Sequence, residues 1–221
     1  MPVSVSRSAR TSRLPTPTRE PSTSGDPKKA QAFLRRYLEQ FQGLCHGDAS
    51  WIPKLVRVRD FVVAASRNGR KVILVGNGGS AAMASHVAVD LTKNAGIRAI
   101  NFNEADLITC FANDYGYEQW MAKAVERYGD AGDVLIAISS SGRSTNVLNA
   151  CAAARRLRFT GVITCSGLSP ENPLRQQGDE NFWVDSRAYN LVEMVHHFWL
   201  LALVDLIIGK AEYPAHPEGS A

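Results

Sequence analysis

The sequence has no uninterrupted run of about 20 apolar residues, the length a bilayer-spanning helix requires. Its longest apolar stretch, Phe198 to Ile208, is broken by Asp205, so a membrane is not an expected partner. Cysteine is scarce: Cys45, Cys110, Cys151 and Cys165 lie too far apart for a Cys-x-x-Cys metal knuckle or a disulfide framework. That usage, with no apolar leader at the N-terminus, predicts a cytoplasmic protein with reduced thiols. No Gly-Lys-Ser/Thr loop is present, which argues against nucleotide hydrolysis. A global basic excess is also missing. The net charge of +4 is already present in residues 1–29, where six basic residues face only Glu20 and Asp26. The remainder carries 19 charges of each sign, so nucleic acid is not an expected partner of the folded part.

What is present is an ordinary globular composition, 45% hydrophobic and 21% charged over 221 residues. Residues 1–28 are rich in Ser, Pro and Arg and hold too little apolar surface to order themselves. They read as a disordered basic tail, followed by one domain over 29–212 and a short C-terminal tail over 213–221. Phe33, Tyr37, Leu38, Phe41 and Leu44 follow helical spacing, and a second helix is expected from Ser50 to Asn68-Gly69, both outside the core. Short apolar runs at 71–75, 97–102, 133–138, 159–165 and 182–184 alternate with helical stretches at 81–93, 145–156 and 188–208. Strands alternating with helices predict an α/β fold, a parallel sheet covered on both faces. The four tryptophans read as packing residues rather than base-stacking platforms.

In such a sheet, ligands bind beyond the carboxyl ends of the strands, beside helix N-termini. Two turns have the chemistry for this. Gly76-Asn-Gly-Gly-Ser80 follows the first strand; its glycines permit close backbone approach, and Ser80 stands where a helix-capping hydroxyl would help hold an oxyanion. Read alone, Gly76-x-Gly78-x-x-Ala81 also matches a dinucleotide fingerprint. That motif wants an acid at the end of the next strand, and Glu104 is a poor candidate, so no nucleotide cofactor is expected. The second turn, Ser139-Ser-Ser-Gly-Arg-Ser144, packs four hydroxyls between a buried strand and a helix N-terminus, an anion cradle without lysine. Two donor loops on neighbouring strands suit a phosphomonoester.

These loops, with Asn113-Asp-Tyr-Gly-Tyr117 and Gly132-Asp-Val-Leu-Ile-Ala-Ile138, resemble the sugar isomerase (SIS) domain. Within it they are most similar to the phosphoheptose isomerases, which interconvert sedoheptulose 7-phosphate and D-glycero-D-manno-heptose 7-phosphate. The resemblance covers roughly residues 30–210. It implies a five-stranded flavodoxin-like sheet, N-terminal helices used for oligomerisation, and a homotetramer with active sites at subunit interfaces, often beside zinc. It implies a substrate site of Asn77, Gly79, Ser80, Asp114, Ser139, Ser140, Ser141 and Ser144.

Aldose–ketose isomerisation through an enediol needs a base beside the reacting carbon and an acid or metal at the carbonyl oxygen. His86 and Asp90 share a helix face at four-residue spacing. Glu193 precedes His196 and His197 by three and four residues on the last helix. His86, Asp90, Glu193 and His197 therefore form a candidate divalent-metal set of zinc type. The chain departs from the family in three places. Asp90 stands where the family has its catalytic glutamate, one methylene longer. The family's catalytic histidine falls at Leu200 or Leu201. Its metal-binding glutamine aligns with Val192 or Glu193. His197, one turn before Leu201, is positioned to supply the missing acid, so Asp90 and His197 are the catalytic candidates. The alternative is a non-catalytic phosphosugar-binding or regulatory protein similar to the replication-initiator-associated protein DiaA.

Overall fold

Five short stretches, two of them built wholly of Val, Ile, Leu and Ala, pair side by side in a computed structural model that describes residues 25–47 and 49–212. The basic tail, apart from its last few residues, and the segment 213–221 lie outside the described residues. The elements run α1 (Pro27–His46), α2 (Trp51–Arg67), β1 (Val72–Val75), α3 (Gly79–Lys93), β2 (Ala99–Asn101), α4 (Ala105–Tyr115), α5 (Trp120–Tyr128), β3 (Val134–Ile138), α6 (Thr145–Arg156), β4 (Gly161–Ser166), β5 (Glu180–Trp183) and α7 (Tyr189–Ile208). Residues up to Leu38 form one unit and Glu39 onward another. In the first, Phe33, Leu34 and Leu38 are exposed.

The sheet is wholly parallel with strand order β2-β1-β3-β4-β5. This is the flavodoxin-like order, and its direction of winding reverses between β1 and β3, which opens a crevice at their carboxyl ends. Alternate strand residues face opposite layers. Val72, Leu74, Val134, Ile136 and Ile138 pack with α2, α3 and α7, whereas Ile73, Val75, Leu135 and Ala137 pack with α5 and α6. Each buried Val, Leu or Ile contributes roughly 1.5–3 kcal/mol, which explains why the central strands β1 and β3 are apolar without alternation.

The helix α2 is not peripheral, contrary to the expectation from sequence. Leu55, Val58, Val62 and Ala65 are buried in the core. The face of the sheet it covers would otherwise leave α7 and β5 open to water. The helices α4 and α5 were not anticipated by the sequence pattern. The register Val75↔Ala137 ends β1 and β3 at nearly the same height. Asp133 helps set that register: it is fully buried, accepts from the backbone N–H of Lys71 and Asp130, and pairs with Lys71 Nζ at 2.7 Å.

Candidate functional site

Both donor loops leave the sheet at the crevice and meet. They enclose a cavity of about 210 Å³ lined by Asn77, Ser80, Ser139, Ser140, Ser141 and Ser144, together with Ile138, Tyr189 and Glu193. The helix α3 begins at Gly79, so Ser80 lies inside its first turn rather than at the cap. Ser144 caps α6 by position without a side-chain cap bond; its Oγ lies 3.0 Å from Ser139 Oγ. Ser140 Oγ is buried with no hydrogen-bond partner among the described residues. An orphaned hydroxyl at the mouth of two helix N-termini is the signature of a site built for an oxyanion. Gly142 holds a left-handed φ of +63°, and a Cβ there would overlap the buried Asn172 side chain, which caps the short 3₁₀ turn at Pro173–Gln176.

Asn77 and Asn146 exchange amide hydrogen bonds in both directions, each at 3.0 Å, tying the first loop to α6. Tyr117 donates to Asn77 Oδ1 at 3.2 Å. Asn77 is thus spent largely on positioning. Neither Asn146 nor Tyr189 was singled out from the sequence; a polar residue just inside a helix start was the one available signal for Asn146. Asp114 lies exposed on α4, paired with Asn113 and near Cys110, outside the cavity. Arg143 is exposed and does not line the cavity.

Farther along α3 and α7 the acid–base residues meet. His197 Nε2 lies 3.0 Å from His86 Nδ1, and His86 Nε2 lies 3.3 Å from Asp90 Oδ2. Asp90 Oδ1 also accepts from Asn94 at 3.2 Å. The carboxylate favours a proton on His86 Nε2, so His86 Nδ1 accepts from His197, and the Nδ1 lone pair of His197 is left free as a base. Burial, and secondarily the neighbouring His86, holds the His197 pKa below the ordinary imidazole value, while Asp90 opposes this.

Glu193 does not join that cluster. It lies against Gly79, where a Cβ would overlap its carboxylate, and faces the serine loops. The four residues expected as one metal set are therefore divided between two places. Among the described residues no group of three His, Cys, Asp or Glu is arranged to hold a metal ion. Both ring nitrogens of His86 already face partners, so the donors of one chain do not fit the implied zinc. His196, next to His197, is wholly buried and turned away: its Nε2 donates to the Ser166 carbonyl at 2.9 Å. A larger hollow of about 520 Å³, lined by Trp51, Lys54, Arg175, Trp183, Asp185 and Trp199 among others, shares no residue with the serine cavity and holds no imidazole–carboxylate pair.

Residues 36–165 match the SIS domain family model. The chain is 35% identical over 157 residues to a phosphoheptose isomerase of Bradyrhizobium sp. strain BTAi1, covering 67% of this chain and 77% of that one. It is 33% identical over 156 residues to the phosphoheptose isomerase of Fusobacterium nucleatum, covering 68% and 77%. Among solved structures, the phosphoheptose isomerase of Neisseria gonorrhoeae superposes with a TM-score of 0.74 at 26% identity, over 81% of this chain and 99% of that one. That of Francisella tularensis gives 0.72 at 26% identity, over 83% and 98%. With its strand order, its paired serine and glycine loops and these relatives, the chain belongs to the SIS-domain family and, within it, to the sugar-phosphate isomerases of the phosphoheptose isomerase type.

Proposed function

We propose that this isomerase interconverts sedoheptulose 7-phosphate with the corresponding aldose 7-phosphate, or acts on a related sugar phosphate, through an enediol. The observation that carries this reading is the separation between the serine cavity and the imidazole pair. Along α3, Ser80 precedes His86 by six residues, and along α7 Glu193 precedes His197 by four, which is about 6–9 Å at 1.5 Å per residue. An extended seven-carbon chain with bonds of about 1.5 Å places C1 and C2 at a comparable distance from its phosphate. In this reading the serines and helix N-termini hold the phosphate. His197 Nδ1 removes the proton from one carbon and returns it to the next, while the hydroxyl oxygen gives up its proton and the carbonyl oxygen takes one up, so the two isomers differ by no net proton. His86 and Asp90 orient His197 and stabilise the imidazolium it becomes.

The proposal includes a homotetramer with sites at subunit interfaces. The exposed Phe33, Leu34 and Leu38 on α1 and Met194 and Phe198 on α7 support it, because apolar groups of this size favour burial against another chain. Light scattering on the purified protein tests that part.

A second reading, a phosphosugar-binding module without catalysis, is favoured by Leu200, which stands at a candidate position for the family histidine and is buried in the core. Turnover of sedoheptulose 7-phosphate in deuterated water, with zinc and with a chelator, separates the two. Deuterium in the product at the carbon beside the carbonyl is expected. Binding without exchange under either condition would refute the isomerase reading in favour of the module.

A further inference from the structure

Among the described residues, Glu193 is the one carboxylate lining the serine cavity, and no lysine or arginine lines it. Among the described residues it has neither a hydrogen-bond partner nor an ion-pair partner. Its carboxylate lies against the bare Cα of Gly79 at the start of α3, in space that a side chain there would fill. A carboxylate placed beside an anion cradle opposes the ligand the cradle is built for. Such a group is useful only if the same ligand also brings donors to it. An ionised carboxylate accepts and does not donate, with about four lone-pair sites. The groups that match it on a sugar phosphate are the hydroxyls next to the phosphate-bearing carbon.

We infer that Glu193 is a specificity-determining residue that accepts hydrogen bonds from substrate hydroxyls and discriminates against phosphate that carries none. The inference rests on the reading of the serine loops as a phosphate site. Free phosphate meets the repulsion alone, whereas a polyhydroxylated phosphate meets the same repulsion and offsets it through two or more charge-assisted hydrogen bonds. Gly79 leaves room for this approach, since a Cβ there would overlap the carboxylate and displace it. The family-derived role of metal ligand does not account for this placement, since Glu193 stands apart from His86, Asp90 and His197.

The test is calorimetric titration of the full-length protein with inorganic phosphate and with sedoheptulose 7-phosphate, in a chelator and again in zinc. Glu193→Gln is expected to bind inorganic phosphate on the order of ten times more tightly, the effect of removing a single charge about 6 Å from a dianion in a water-like dielectric. It is expected to gain nothing for the sugar phosphate, so the ratio of the two affinities falls at least as far. Glu193→Asp keeps the charge but retracts it, and should leave phosphate affinity within about twofold while weakening the sugar phosphate. Equal gains for both ligands in Glu193→Gln would make Glu193 a mere repulsive charge and overturn the inference. An effect seen only with zinc would make it a metal ligand and overturn it as well. If the unmutated protein bound neither compound, the phosphate-site reading itself would fall.

Discussion

His196 has no exposed surface, and burial lowers its pKa to about 4 from an ordinary value of 6.5. Its Nε2–H donates to the Ser166 carbonyl, and its Nδ1 has no partner among the described residues. Protonation would place an uncompensated cation in the core. Because the folded-state pKa is depressed, the unfolded chain takes up the proton first. The stability tied to a neutral His196 is present above pH 6.5 and is lost as the pH falls from there toward 4. Each tenfold difference in proton affinity between the folded and unfolded chain is worth about 1.36 kcal/mol. The loss between pH 7 and pH 4.5 is therefore roughly 2–3 kcal/mol, a large share of a typical domain's stability. Carboxylates titrate in the same range, so the measurement is a difference. Urea unfolding of the wild type and of His196→Leu, at one protein concentration, is compared at pH 7 and pH 4.5. At pH 7 the variant should lose only about 1 kcal/mol, the value of one neutral hydrogen bond, since the Ser166 carbonyl still accepts from Val184 N–H. Between the two pH values the wild type should lose roughly 2–3 kcal/mol more than the variant. Equal losses would refute the reasoning and mean that His196 is not a buried neutral imidazole.

Four further outcomes follow from the site. Gly142→Ala forces a left-handed φ on a side chain and drives its Cβ into Asn172; it should cost at least about 1–3 kcal/mol in thermal unfolding and abolish phosphate binding. Asn146→Ala leaves the Asn77 Nδ2 donor without its partner, while Tyr117 still donates to Oδ1; it should cost about 1 kcal/mol and lower kcat/KM by loosening the first loop, with circular dichroism unchanged. His197→Ala should reduce turnover by about 100-fold or more while leaving sugar-phosphate affinity within about threefold. In the unmutated enzyme the acid limb of the kcat profile should fall below pH 6.5, because the lowered pKa keeps His197 in its basic form there. Retained turnover in His197→Ala would remove it from the acid–base role.

The order of strands and helices, the parallel sheet and the two donor loops were legible from sequence because each depends on neighbours in the chain. Apolar runs mark buried strands, and Gly76-Asn-Gly-Gly-Ser80 and Ser139-Ser-Ser-Gly142 carry their turn chemistry in adjacent residues. The helices α4 and α5 were not legible in this way: α4 buries no residue completely to give a clear apolar stripe, and α5 is only nine residues long. The tertiary structure decided how the spacing-derived candidates are divided. His86 and His197 meet across 111 positions of sequence, and Asn77 and Asn146 across 69, through the side-by-side packing of helices that no local pattern encodes. The same packing turned Glu193 toward Gly79 and away from the imidazoles. It also buried His196 while leaving His197 at the site. One residue of rotation on α7 is about 100°, and only the surface against which that helix packs determines which of two adjacent histidines meets His86 and which is buried against Ser166.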